Sequence, residues 1–167
     1  MYPGRHAAEA PDRPALIMAE SGNVITYGQF ESGANQIAHL LRTSGLRRGD
    51  HIALLLENDP ALLMASAAAE RTGLVYTPIS NHLSTEQIAY IVNDCQAGLV
   101  VVSAKTLPLA LNLPQACPKV DRWLVANSDA IGLRAVRYHG AVDCSAGSRR
   151  GASRPNRRLP SGDGRRA

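Results

Sequence analysis

Two carboxylates, Glu57 and Asp59, stand one residue apart at the end of an apolar run. Paired carboxylates are the raw material of general acid–base chemistry, and the carboxyl end of a buried strand is where open α/β sheets place ligands. Asp59, however, is followed by Pro60 and an Ala-rich stretch, the signature of a helix N-cap, so the pair reads more economically as a cap beside a solvated glutamate. Five histidines (His6, His39, His51, His82 and His139) show no metal-ligand spacing. His39 falls on a helix near its polar face, His51 at a strand start and His82 in a turn, positions where surface or structural histidines are ordinary. The three cysteines (Cys95, Cys117, Cys144) are odd in number and lack a Cys-x-x-Cys spacing, which makes them reduced, idle thiols in this reading. Gly162-Asp163-Gly164-Arg165-Arg166-Ala167 matches the letters of the dinucleotide fingerprint, but no strand precedes it and no helix follows it. The only lysines, Lys105 and Lys119, follow no glycine-rich turn, so there is no phosphate loop of the Gly-x-x-x-x-Gly-Lys kind. Neither a Gly-x-Ser-x-Gly elbow nor a His-Glu-x-x-His pair occurs. No catalytic, cofactor-binding or metal-ligating residue can be assigned from these patterns.

The elements that would position such groups are clearer. Leu74 to Ile79 and Leu99 to Ser103 are short apolar runs without alternation, as expected of strands covered on both faces of a parallel sheet. Between them Ser84-Thr85-Glu86-Gln87 is a capping-box pattern opening a helix to Asp94, with Ile88, Ile91 and Val92 on one face. Gly98 is expected to end that unit and turn the chain into the next strand. Upstream, residues 2–14 read as an extended leader broken by three prolines, and Ala15–Met18 pairs with Val24–Thr26 as a hairpin. Thr26 to Gln29 repeats the capping box, and its helix carries Phe30, Ala34, Ile37, Ala38 and Leu41 inward and closes at Ser44-Gly45. His51 to Glu57 is a buried strand, Asp59-Pro60 opens the Ala-rich helix that Gly73 ends, Lys105 to Leu113 is one more helix weakened by Pro108, and Trp123-Leu124-Val125 is a last strand. The order predicts an α/β fold: a partial, doubly wound, mainly parallel sheet with helices on both faces, preceded by a short β-hairpin.

Charge divides the chain in two. Residues 1–133 hold nine Lys/Arg against twelve Asp/Glu, a net of −3, whereas residues 134–167 hold nine Arg against two Asp, a net of +7. The whole-chain charge of +4 is therefore a property of the tail. That tail is Arg, Gly, Ser, Ala and Pro without periodicity, and such a segment buries too little apolar surface to offset its ordering entropy. The expected organisation is a folded part over 1–133 and a disordered tail over 134–167, composed like a G+C-rich gene read out of frame, the frame slipping somewhere near Arg134 to Asp143. The arginines could neutralise phosphates, but apart from Tyr138 they lack aromatic partners, so specific nucleic-acid binding is not expected. No apolar run is long enough for a transmembrane helix, and no apolar leader of the secretory kind is present, which points to the cytoplasm.

A set of letters then carries a resemblance. Thr26-Tyr27-Gly28, Asn35, Ala38, Leu41, Gly45, Gly49-Asp50, Asn58, Gly73, Pro78, Asn81, Leu83, Glu86, Tyr90 and Asp94 are spaced over Thr26–Ser103 as in the N-terminal portion of the AMP-forming acyl-CoA synthetases. The opening Ala10 to Leu16 also resembles that family's start. The resemblance implies a ligase that activates a fatty or other carboxylic acid with ATP and Mg, forms an acyl-adenylate and passes the acyl group to coenzyme A. It also implies that the phosphate loop, the acidic ribose contact and the adenylating lysine belong further along the family's sequence. The expectation is a truncated, inactive scaffold portion that binds none of these cofactors by itself, with exposed sheet edges and helix faces. Glu70-Arg71-Thr72-Gly73-Leu74 departs from the family, where a lysine and Gly-Ala are common. The alternative is a small non-catalytic α/β interaction module with a basic tail.

Overall fold

The computed structural model describes residues 3–126 and the backbone of residues 133–136. The elements run α1 (Pro3–Glu9), β1 (Pro14–Ile17), β2 (Val24–Thr26), α2 (Tyr27–Thr43), β3 (His51–Leu55), α3 (Pro60–Thr72), β4 (Val75–Pro78), α4 (Thr85–Asp94), β5 (Leu99–Ser103), α5 (Leu107–Ala110), α6 (Leu113–Ala116), β6 (Arg122–Ala126) and β7 (Leu133–Val136). The β1–β2 hairpin is antiparallel and separate from a five-stranded sheet of order β4-β3-β5-β6-β7. In that sheet β4, β3, β5 and β6 are mutually parallel, and β7 returns antiparallel along β6.

The apolar runs of β3 and β5 lack alternation because each of these strands is covered twice, whereas β4, expected to be equally covered, is the edge strand and leaves Val75 and Pro78 exposed. Ile52 and Leu54 of β3, Leu99 and Val101 of β5 and Leu124 of β6 face a core completed by Phe30, Ile37 and Leu41 of α2 and by Met64, Ala65, Ala68 and Ala69 of α3. The alternate residues Ala53, Leu55, Val100, Val102 and Trp123 face a second core with Ile88, Ala89 and Val92 of α4 and Leu113 and Cys117 of the α6 end. All of β5 is buried. The alanines of α3 let it lie close to the sheet, and close packing is where small side chains serve.

The helix starts follow their sequence signals. Thr26 and Ser84 each form a reciprocal capping box, with Gln29 and Gln87 respectively, and Asp59 accepts from the Ala61 N–H at 2.9 Å. Replacing Ser84 by Ala leaves an N–H of α4 without its cap. The expected loss is about 1 kcal/mol, read as a shifted urea midpoint with an unchanged slope.

Four further expectations need correction. Residues Pro3–Glu9 are helical, not extended: Pro3 occupies the first turn, where a missing N–H costs nothing, and Arg5 pairs with Glu9 at 2.8 Å. The helix expected over 105–113 is only the short Leu107–Ala110, and a second short helix, Leu113–Ala116, follows it, because Pro108 and Pro114 each start a new turn. Gly98 does not end the α4 unit; Gln96 takes the left-handed conformation at φ 55°, and the Ala97 N–H returns to the Val92 carbonyl at 3.2 Å. Leu133–Val136, which reaches three residues into the stretch expected as tail, is strand β7, paired from Trp123↔Val136 to Ala126↔Leu133. Its apolar Leu133, Ala135 and Val136 are too few to register as a strand pattern beside the arginines. The rest of that tail, with the Gly162–Ala167 match, His139 and Cys144, lies outside the described residues.

Arg71 gains a role that explains its departure from the resembling family. Its guanidinium donates to Glu31 at 2.8 Å and to Asn35, joining α3 to α2. The two ionic side chains are only 16% and 22% exposed, so this pair is screened less than a surface one.

Candidate functional site

The sheet reverses its winding at β3. From β3 the chain crosses through α3 on one face to β4, then through α4 on the other face to β5, on the opposite side of β3. The carboxyl ends of β3 and β5 thus flank a topological switch point, the crevice where open α/β sheets hold ligands.

Three loops meet there. Leu56 to Asp59 follow β3, Ile79 to His82 follow β4, and Lys105 follows β5; with hairpin residues such as Ile17, Glu20 and Ile25 they line a cleft of about 1050 Å³. Its floor is apolar, formed by Ile37, Leu56 and Met64, and its rim is polar. A smaller recess of about 80 Å³ lies at the switch point, between Glu57, Asp59, Ser103, Lys105 and Ala126.

Glu57 is the best-held polar group of this edge. It is not the solvated glutamate of the sequence reading: its side chain is 19% exposed, it accepts a hydrogen bond from the Ser103 hydroxyl, and Lys105 Nζ stands 4.0 Å away. Behind it, Thr106 Oγ1 accepts from the Ser103 N–H at 2.9 Å and donates to the Leu55 carbonyl at 2.7 Å. The Thr106 N–H donates to Ser103 Oγ at 3.1 Å, which closes a reciprocal pair around the β5 turn. This network lies 46 residues from Glu57 in sequence, so no local spacing could announce it.

Thr106 and Ser103 are buried, so the network cannot borrow water. Thr106→Val keeps the shape but strands a backbone N–H and a carbonyl. The expected cost is roughly 2–6 kcal/mol, from about 1–3 for each of the two buried groups left unmade. Thr106→Ser keeps the hydroxyl and should recover most of that loss in the same urea titration.

Asp59 is spent as the N-cap of α3, as its sequence context indicates. His82 is exposed at the cleft rim, and its N–H donates to Ser80 Oγ at 3.3 Å. His39 is exposed on α2, His6 packs on the Tyr27 ring at 5.1 Å, and His51 begins β3 at the far edge of the sheet. The structure therefore brings Glu57, Asp59, His82 and Lys105 to one cleft and leaves His6, His39 and His51 apart.

The cleft's charge limits what it holds. Glu20, Glu57 and Asp59 line it against one ammonium, that of Lys105. Polyphosphate beside three carboxylates is repelled, and Asp59 already satisfies the start of α3 where an anion would otherwise sit. These residues do not fit the phosphates of ATP. Among the described residues no group of three or more His, Cys, Asp or Glu could hold a metal ion, and no helix is long and apolar enough to cross a membrane.

Comparison with known proteins supplies what the cleft does not. Residues 4–145 match the family model described as AMP-binding enzyme. The chain is 33% identical over 106 residues to a crotonobetaine/carnitine–CoA ligase of Proteus mirabilis, covering 61% of this chain and 20% of that protein. It is 30% identical over 99 residues to a linear gramicidin synthase of Brevibacillus parabrevis, covering 59% of this chain and 2% of that one. Among solved structures, a Mycobacterium tuberculosis fatty acyl CoA synthetase superposes with a TM-score of 0.68 at 25% identity, over 75% of this chain and 26% of that chain. The anthranilate CoA ligase AuaEII, in complex with anthranoyl-AMP, superposes with a TM-score of 0.70 at 22% identity, over 75% of this chain and 24% of that chain. The chain thus spans about a fifth of the carnitine–CoA ligase and a far smaller share of the gramicidin synthase. With a match extending over most of its length, the chain belongs to the AMP-binding enzyme family.

Proposed function

We propose that these residues are the N-terminal scaffold of a cytoplasmic ligase that activates a fatty or other carboxylic acid with ATP and Mg and transfers the acyl group to coenzyme A. The observation that carries this reading is the family match together with the small share of each relative that the chain covers. The relatives' names speak of different acids, a carnitine, an anthranoyl group and a fatty acyl group, yet they share this segment. What is common to them is activation of a carboxylate, and a segment shared across such substrates suits a framework better than a specificity pocket. In this reading the doubly covered sheet and its helices carry the ligase's first layer, and the phosphate loop and adenylating lysine are encoded further along. A polypeptide of these 167 residues is then inactive alone.

The Arg-rich composition that sets in after residue 133 belongs to the same proposal. The family match ends at residue 145, inside that stretch, which fits a reading frame that slips there. The gene's own nucleotide sequence tests it. Translated in every frame past the codon for Leu133, and onward beyond codon 167, it should encode a Ser/Thr/Gly-rich loop ending in lysine, followed by a long α/β pattern. Early closure of every frame without such a loop would overturn the ligase reading and leave a basic-tailed interaction module in its place.

A further inference from the structure

Two of the three cysteines, far apart in sequence, meet on one helix. Cys95 caps the carboxyl end of α4, and its thiol approaches the Val92 carbonyl at 3.5 Å. Cys117 follows α6, and its thiol approaches the Ala89 carbonyl, at 3.9 Å. Ala89 and Val92 are neighbours on α4, about 4.5 Å apart along the axis. Both sulfurs therefore sit against the same turn. The side chains also share one apolar core, Cys117 fully buried within it and Cys95 packed against it with a partly exposed edge. The backbone is held in place beside them, because Asn93 Nδ2 donates to the Ala116 carbonyl at 2.9 Å.

From this juxtaposition we propose that Cys95 and Cys117 form a modification site, a thiol pair that closes to an intramolecular disulfide and ties α4 to the α6 end. The accessible Cys95 meets the oxidant first. Its thiolate attacks a low-molecular-weight disulfide, forms a mixed disulfide and releases one small thiolate. Cys117 then loses its proton to solvent and attacks the Cys95 sulfur, displacing the second small thiolate. Two protein thiols are oxidised and one small disulfide is reduced to two thiols. Burial, with a smaller push from the Cys95 sulfur beside it, holds the Cys117 thiol above its ordinary pKa. Cys117 is thereby a poor first nucleophile and suited to the resolving role, where proximity replaces reactivity.

The test uses the full chain carrying Cys144→Ser, so that two thiols remain. Native protein is treated with oxidised glutathione and followed by thiol titration, intact mass and peptide mapping. The expected result is a fall from two free thiols to none, a mass loss of two hydrogen atoms, a Cys95–Cys117 cross-linked peptide and full reversal by dithiothreitol. The bridge should close about ten-fold faster in folded protein than in strong denaturant, since the fold presents the pair. Adding Cys95→Ser should leave Cys117 unmodified, whereas adding Cys117→Ala should trap glutathione on Cys95. The inference is overturned if the folded protein keeps both thiols, stops at the mixed disulfide, cross-links only between chains, or bridges no faster folded than unfolded.

Discussion

Purified at rising concentration, the 167-residue polypeptide is expected to self-associate, and lysines placed on its open edges should return it to a monomer. Ile17 and Val24 on the hairpin, Leu63 on α3 and Val75 on β4 are each close to half exposed or more. Strand β4 is the outer strand of its sheet, so among the described residues its far side presents unpaired backbone groups to any second chain. Burying one such aliphatic side chain yields roughly 1.5–3 kcal/mol. Association costs at least about 4 kcal/mol in lost translational and rotational freedom. No single residue suffices, and several patches must close together, which makes the association steeply concentration-dependent. Ile17→Lys combined with Val75→Lys places charge on both the hairpin and the β4 edge and should restore a monomeric sedimentation profile. A wild-type chain that stays monomeric at every concentration, with one sharp thermal transition, would count against this and favour the self-contained interaction module.

The parts of the fold that the sequence announces are those set by near neighbours. Thr26 with Gln29, Ser84 with Gln87 and Asp59 with Pro60 are decided within one turn, and each helix begins where they say. Gly45 and Gly73 do what their positions require, at φ 80° and 74°. At Gly73 a Cβ would also stand 2.8 Å from Arg48 Cγ, so the residue answers to packing as well as to the helix end. Several letters of the family resemblance prove structural in the same sense: Asn35 accepts from Arg71, and Asn81 lines the cleft where β4 ends. What stays hidden is contact across the chain. Glu57 reads as solvated because Ser103 and Thr106, its supports, lie on another strand's turn. Cys95 and Cys117 read as idle because nothing in their spacing reveals that α6 returns to α4. Gln96 escapes a sequence reading that favours Gly98, because its left-handed conformation is imposed by the bond from Ala97 to Val92, not by an intrinsic preference.

Catalysis separates the scaffold reading most sharply from a self-sufficient ligase. Acyl-adenylate formation needs donors preorganised around the ATP phosphates, and such donors are worth several kcal/mol each in the transition state. The cleft offers three carboxylates and a single lysine, which oppose a polyphosphate, and the chain contains no glycine-rich phosphate loop. The most direct measurement is pyrophosphate release by the purified 167-residue polypeptide with ATP, magnesium, coenzyme A and a panel of short, long and aromatic carboxylic acids. A crotonobetaine/carnitine–CoA ligase run with its own substrate serves as the active control. The account predicts no release above the no-protein blank for any acid, while the control turns over. Acid-dependent pyrophosphate release by the polypeptide, lost when the acid is omitted, would contradict it.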